Sequence, residues 1–322
     1  MLKRFIPYYK PHKKLFFMDM TAALIASLIG VVYPIITRTM LNDLIPQKEY
    51  KMIIFSGILL LALYYVRKRL DCFVQYQGHV MGVLMQADMR RDMFAKLQTL
   101  PFSFFDENET GKLMSRMTND LMNISELAHH GPENVIVTGI TILVSFAYLA
   151  SINLYLTLIV FLCVPLLVVV AFRLRLRMRR AFQASSRAVA SINASLESSI
   201  SGIRVTKAFT NSTREKEKFA ASNKEFVEAR TLAYKAMGEF LSTTSFLSNF
   251  FNVTVLIAGG LFLYNGIINF GDYSAFIVSL NLFLTPVTTL INFMQQYQDG
   301  VAGFERFLEI MDAEPEKDAP DA

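Results

Sequence analysis

The chain has 322 residues, of which 53% are hydrophobic and only 18% are charged. In soluble domains about a quarter of the residues are charged, so this composition argues against a soluble protein and indicates a membrane protein. The net charge of +5 would suit nucleic acid, but the positive residues follow a membrane topology, and we predict no nucleic-acid partner.

Six segments have the length and composition of membrane helices. Residues 1–14 form a basic, aromatic segment, and the uncharged run at residues 20–37 is too long for a signal-peptide core. We therefore predict that the first helix is retained. Crossing the hydrocarbon takes roughly 20 mostly apolar residues, and Pro34 and Pro286 are the prolines within the first and last predicted spans. The predicted spans are residues 15–36, 52–74, 134–151, 155–172, 240–264 and 273–296.

Lysine and arginine are concentrated on one side of this topology. With both termini on one side, that side holds 29 of the 32 positive residues, and the other holds Arg38, Lys48 and Lys51. Positive residues are retained on the cytoplasmic side of a membrane. We predict an integral protein of the plasma (inner) membrane with both termini in the cytoplasm.

Long connections between spans occur only on the predicted cytoplasmic side. Residues 75–125 and 173–238 keep apolar side chains at helical spacing, whereas the external connections are short. A helix rises 1.5 Å per residue, so an arm of about 25 residues extends nearly 40 Å from the bilayer. We predict an all-α polytopic fold in which six transmembrane helices extend into the cytoplasm as two helical arms.

Each arm is predicted to end in a short polar element. The first tip, residues 104–120, reads FFDENETGKLMSRMTND, and the second, about residues 208–214, reads AFTNSTR. The acidic start and basic end of the first tip suit a short helix, because the helix dipole favours that order of charges. So polar a stretch must lie outside the bilayer, where we expect it to contact a partner.

The sequence predicts no metal site. Cys72 and Cys163 lie in hydrophobic segments without a CxxC pattern, and they are interpreted as small buried side chains. His129 and His130 are adjacent, but no further ligand follows at a recognised spacing.

Nucleotide chemistry is also not predicted in this chain. The Thr110-Gly111-Lys112 sequence is similar to part of a phosphate-binding loop, but Leu113 stands where Ser or Thr is required. Asp106 occupies the position of the first glycine, and no strand is predicted before the loop. We therefore expect no ATP site, catalytic residue or cofactor.

Two kinds of residues are candidates for a substrate pathway. Arg67 and Arg69 follow only 15 uncharged residues of the second span, so they either face a watery cavity or lie among lipid headgroups. Polar residues also form a stripe on each of the last two spans, which either line a pathway or hold helices together. These residues are Ser242, Ser245, Asn249 and Asn252 on the fifth span, and Asn281, Thr285, Thr288, Asn292 and Gln295 on the sixth.

Four segments, in this order, resemble the membrane domain of ABC exporters of the half-transporter type. LKRFIPYYKPHKKL is similar to the elbow helix that precedes the first span, and LPFSFFDENETGKLMSRMTND to the first cytoplasmic loop. GIRVTKAFTNSTREKEKF is similar to the second loop, and FERFLEIMDAEPE to the junction with the nucleotide-binding domain. The resemblance covers nearly the whole chain: an elbow at residues 1–14, a membrane domain at 15–311 and a linker at 312–322.

The resemblance implies an exporter that moves an amphipathic drug, lipid or peptide outward by alternating access. A second copy or a homologous half-transporter would pair with this chain, and ATP and Mg²⁺ would bind to nucleotide-binding domains that this chain is expected to lack. Those domains would either have been removed from the sequence or be a separate chain. The implied coupling residues are Asp106, Thr110, Gly111, Arg116, Asp120, Phe209, Thr210 and Asn211.

Two other functions remain open from the residues alone. An ion-coupled secondary transporter predicts interrupted spans with acidic residues near the midplane, and no acidic residue lies well inside a predicted span. A membrane scaffold or receptor without transport would not require two polar stripes.

Overall fold

A computed structural model describes residues 2–316 and, except at positions 2, 281, 283, 287, 291 and 292, their side chains. This part of the chain consists of helices and the turns that join them. The helices are α1 (Leu2–Phe5), α2 (Lys13–Leu44), α3 (Tyr50–Leu97), α4 (Phe102–Glu107), α5 (Thr110–Ile152), α6 (Leu154–Ser201), α7 (Ile203–Ala208), α8 (Ser212–Tyr264) and α9 (Phe270–Asp312).

Within residues 2–316, six helices are long and apolar enough to cross a membrane, namely α2, α3, α5, α6, α8 and α9. They contain between 32 and 53 residues, whereas a crossing takes roughly 20. Each of them therefore extends beyond the hydrocarbon. The predicted all-α fold class with six long apolar helices is confirmed.

The short turns between helices have local causes. Asn153, with extended backbone, separates α5 from α6, and its side-chain oxygen accepts a hydrogen bond of 2.9 Å from the Leu156 amide. Before α9, Asn269 and Asp272 form a reciprocal capping box that satisfies the first amides of the helix. The start of α6 and the start of α9 are therefore set by Asn and Asp side chains.

The chain divides into two compact units. The first contains the chain up to Leu158 and resumes at Val255, and the second is Ile159–Thr254. In the second unit, α6 and α8 form an antiparallel pair, and the short helix α7 lies between them in chain order. Arg177 forms an ion pair with Glu239 at 2.9 Å, and the Ser199 hydroxyl donates to Glu215 at 2.5 Å. Residue numbers therefore increase along α6 in the direction in which they decrease along α8.

At one end of the first unit, α2 and α9 are joined by a polar network. Asp272 accepts hydrogen bonds from Arg38 at 2.5 Å and from Asn42 at 3.1 Å. A side chain at Gly271 would overlap the Asn42 side chain and the Arg38 carbonyl, so glycine permits this close approach. Arg38, predicted on the external side, is neutralised locally by this contact.

The opposite end of the first unit contains a large apolar cluster, which we call the arm-base core. Its fully buried members include Met89 and Met93 of α3, Leu121 of α5 and Phe307 of α9. The N-terminal segment, which consists of α1 and a 3₁₀ turn at Ile6–Tyr9, covers this core. The Tyr8 hydroxyl donates a hydrogen bond of 2.9 Å to Asp92. Burial is the larger cause that raises the pKa of Tyr8, and this hydrogen bond raises it further.

Candidate coupling and substrate sites

The first tip exposes a compact group of polar residues. Pro101 starts α4, the extended backbone of Asn108 ends it, and α5 begins at Thr110. Asp106, Thr110 and Gly111 are all exposed, and a methyl group added at Gly111 would contact nothing within 4 Å. This part of the tip is therefore accessible to another protein.

The other side of the tip is attached to α9. Both carboxylate oxygens of Asp120 accept hydrogen bonds of 2.6 Å from the Arg306 guanidinium, and Asp120 is buried. This contact raises the pKa of Arg306. A side chain at Gly303 would crowd the Asp120 backbone, so this glycine allows α9 to approach. Arg116 adds a weaker, more exposed contact with Glu309 at 3.1 Å.

The predicted coupling residues of the first tip thus fall into two groups. Asp106, Thr110 and Gly111 are exposed, whereas Asp120 is buried against α9 and Arg116 is half-buried. Leu113, between the two groups, is buried in the arm-base core. A force on the exposed group would therefore be transmitted to α9 through the contact of the buried Asp120 carboxylate with Arg306 and through apolar contacts.

The second tip, in the second unit, presents an exposed aromatic residue. Phe209 is 77% exposed, and Thr210 and Asn211 are exposed beside it. Thr210 has a φ of 50°, which is uncommon for a residue with a side chain and reverses the chain sharply. The turn leaves most of the Phe209 side chain uncovered by the described residues.

The structure separates the two candidate arginines of α3. Arg67 lies 3.6 Å from Asp71, as its i,i+4 spacing predicts, and its guanidinium packs against the face of α2 at Gly30. Arg69 is exposed. Only Arg67 is therefore directed at a neighbouring helix, and the pathway role of both residues remains a prediction.

The two predicted polar stripes belong to different units and are described separately. On α8, the Ser242 hydroxyl donates to the Gly238 carbonyl at 2.7 Å, and Ser245, Asn249 and Asn252 are exposed. Serine bonding to the preceding turn satisfies its hydroxyl within one helix and reduces its availability to a ligand.

On α9, the stripe is continuous with a polar pocket of about 310 Å³. Gln295 lines this pocket with Gln296, and Gln296 donates to Glu126 at 3.3 Å. Thr285 is exposed, and the Thr288 hydroxyl donates to the Thr285 carbonyl at 2.8 Å. The side chains of Asn281 and Asn292 lie outside the described residues.

The first unit also contains an apolar cavity of about 920 Å³, which sequence reasoning did not identify. It opens between the N-terminal segment, α2, α5 and α9. The signal was present in the aromatic residues near the N-terminus, but their partners on α9 lie nearly 300 positions away. Lining residues include Phe5, Tyr9, Phe16, Phe293 and Tyr297, with Lys10 and Lys13 as the basic members.

Comparison with known proteins identifies related sequences over the whole chain. A model of the family described as the ABC transporter transmembrane region matches residues 16–287. The uncharacterized ABC transporter ATP-binding protein YwjA of Bacillus subtilis (strain 168) is 36% identical over 323 residues, which cover 100% of this chain and 56% of YwjA.

Two other relatives have names that include a substrate. A fatty acid ABC transporter ATP-binding/permease protein of Mycobacterium tuberculosis is 31% identical over 76% of this chain and 39% of its own length. An ATP-dependent lipid A-core flippase of Syntrophus aciditrophicus is 25% identical over 98% of this chain and 52% of its own length. The chain thus spans about half the length of the curated relatives it matches.

Proposed function

We propose a function for this chain from the family to which it belongs, the transmembrane regions of ABC transporters. It binds an amphipathic substrate and moves it outward across the plasma (inner) membrane by alternating access, with both termini in the cytoplasm. The energy would come from hydrolysis of ATP, which would bind together with Mg²⁺ to nucleotide-binding domains. A second copy, or a homologous half-transporter, completes the pathway.

The observation that carries this proposal is the two-sided first tip. Its exposed face, Asp106 with Thr110 and Gly111, is accessible for docking, while its inner face is bound to α9 through Asp120 and Arg306. Because α9 also carries a polar stripe, a displacement of the tip changes the position of candidate substrate contacts. The exposed Phe209 of the second tip supplies an apolar anchor for the partner's nucleotide-binding domain.

A lipid-like substrate is favoured by the apolar cavity of the first unit. Its volume of about 920 Å³ accommodates acyl chains, and Lys10 and Lys13 suit an anionic headgroup. The names of two relatives, a fatty acid transporter and a lipid A-core flippase, point to the same substrate class.

The docking role is tested by combining Gly111→Pro with Asp106→Arg in the complete transporter in liposomes. Gly111 lies in the first turn of α5, where proline is tolerated, so the fold should be retained. We expect basal ATP hydrolysis to persist and substrate-stimulated hydrolysis and export to fall at least about fivefold. The control is Glu228→Arg on an exposed position of α8. Normal coupling in the double variant would refute the docking role.

The substrate charge is tested at Arg67 and Arg69. Replacing both by Gln should impair export of anionic amphiphiles more than of cationic ones. The single Arg67→Gln variant should reproduce most of that difference, because only Arg67 packs against a neighbouring helix. The measurement is uptake of matched anionic and cationic lipids into inverted vesicles. Equal losses for the two charges would contradict an anionic substrate.

A further inference from the structure

Three of the four histidines of the chain meet in the first unit. His79 lies on α3, and His129 and His130 lie on α5. Each offers a ring nitrogen, and these three nitrogens lie within 4.8 Å of one another. The rings of His79 and His129 have centroids 4.9 Å apart.

His129 is buried without the hydrogen bonds that a buried imidazole requires. It is 2% exposed, and within the described residues neither of its ring nitrogens has a hydrogen-bond partner. Asp19 of α2, 1% exposed, also has one carboxylate oxygen without a partner. Buried polar atoms without partners are rare, and buried carboxylates require a cation. Nε2 of His129 and one carboxylate oxygen of Asp19 therefore each lack a hydrogen-bond partner among the described residues.

Groups beside the rings include the carbonyl and carboxylate partners that histidine metal ligands commonly have. Nδ1 of His79 lies 2.7 Å from the Gln75 carbonyl, which only accepts, so Nδ1 carries a proton and Nε2 is the nitrogen left to bind an ion. The carboxylate of Asp19 lies 3.4 Å from Nδ1 of His129, within ion-pair distance but without hydrogen-bond geometry, and Nε2 of the same ring lies 3.6 Å from Glu133. A histidine ligand commonly donates its second ring N–H to a carboxylate or a carbonyl.

We propose that His79, His129 and His130 bind one divalent transition-metal ion, such as Zn²⁺, with Glu133 as the fourth ligand. A carboxylate oxygen of Glu133 lies 3.6 Å from Nε2 of His129 and 3.2 Å from Nδ1 of His130. Imidazole nitrogen is the preferred ligand of such ions, and histidine with one carboxylate is a common zinc donor set. Asp19 and Glu126 add negative charge around the site.

The dimensions of the cluster require only a small contraction to hold the ion. Zn–N bonds of 2.0–2.1 Å in a tetrahedral site separate ligand nitrogens by about 3.4 Å. Side-chain rotation on ion binding would reduce the observed limit of 4.8 Å to this value, and His79 and His130 have room to rotate because they are only half-buried. Gly78 allows the close approach, since a side chain there would overlap the His129 ring.

The local helix geometry supports a site at this position. A π-helical turn at Val74–Gly78 directly precedes His79, and another at Glu133–Val137 contains the proposed carboxylate ligand. Such turns occur frequently at functional sites. The bound ion would fix α3 to α5 beside Asp19 of α2, where the first arm joins the predicted spans.

The proposal is tested on the full chain, purified in detergent with a histidine-free tag and treated with a chelator. Titration with Co²⁺ should give visible absorption that saturates at one ion per chain and disappears on addition of Zn²⁺. We expect His79→Gln and His129→Gln each to weaken Zn²⁺ binding by about tenfold or more. His79 is half-buried, so its variant should remain folded even if the His129 variant does not.

The matched control is the fourth histidine. His12 lies 2.9 Å from Asp88, and this contact lowers the pKa of Asp88. His12→Gln should bind Zn²⁺ with the affinity and stoichiometry of the unmodified chain. Equal binding by all histidine variants would indicate adventitious metal only, and absence of binding would show that the rings hold protons instead; either result would overturn the proposal.

Discussion

Arg306→Met is expected to destabilise the first unit by about 2–3 kcal/mol and to impair coupling between the first tip and α9. The substitution keeps the apolar stem of the side chain but leaves the buried Asp120 carboxylate without its two hydrogen bonds of 2.6 Å. An unpaired charge that is shielded from water is more destabilising than the loss of the contact itself.

The neighbouring pair provides a matched control for this result. Arg116 contacts Glu309 at 3.1 Å, but the Glu309 side chain is 61% exposed and can be hydrated when its partner is removed. Arg116→Met should therefore lower the free energy of unfolding by no more than about 1 kcal/mol. Denaturant titration of the chain in micelles measures both values. Equal losses for the two variants would show that burial of Asp120 has no energetic consequence.

A double substitution distinguishes the ion pair from general packing. Asp120→Asn together with Arg306→Met removes the uncompensated charge, so this variant should be more stable than Arg306→Met alone. In the complete transporter, both variants should still uncouple ATP hydrolysis from export, because the charged contact between Asp120 and Arg306 is absent in both. Recovery of coupling in the double variant would contradict a transmitting role for the pair.

The helical framework could be predicted because it follows from composition and length. The uncharged run at residues 135–172 is long enough for two crossings, and the structure has its turn at Asn153, within the predicted connection. Hydrophobic length is a local property that one sequence records well. The exposed residues Asp106 and Phe209 at the tips were also identifiable, since polar or turn-forming segments between long apolar helices must lie outside the bilayer.

The contacts between distant segments could not be predicted in the same way. Asp120 and Arg306 are 186 positions apart, and nothing in the local pattern of either indicates the other. Similarly, His129 and His130 have no ligand at a recognised spacing, because His79 reaches them only through the packing of α3 on α5. Spacing motifs detect ligands on one helix or loop, whereas these groups are assembled by tertiary structure.

The second large effect is expected in the arm-base core, because the proposed coupling contacts depend on its packing. Phe307 of α9 is 2% exposed, and its ring packs against Phe304 with centroids 5.7 Å apart. Phe307→Ala would leave a cavity in this core, and we expect a loss of about 3–5 kcal/mol in the free energy of unfolding. This variant tests the burial of an apolar side chain alone, because phenylalanine has no charged or hydrogen-bonding group.

Phe209→Ala is the control, since the same change at the 77% exposed ring of the second tip leaves no cavity. We expect its stability to remain within about 0.5 kcal/mol of the unmodified chain, and its coupling to ATP hydrolysis in the complete transporter to fall. The two variants thus separate a residue that holds the arm together from one that contacts a partner. If Phe209→Ala were the less stable variant, the assignment of Phe209 as an exposed docking residue would be wrong.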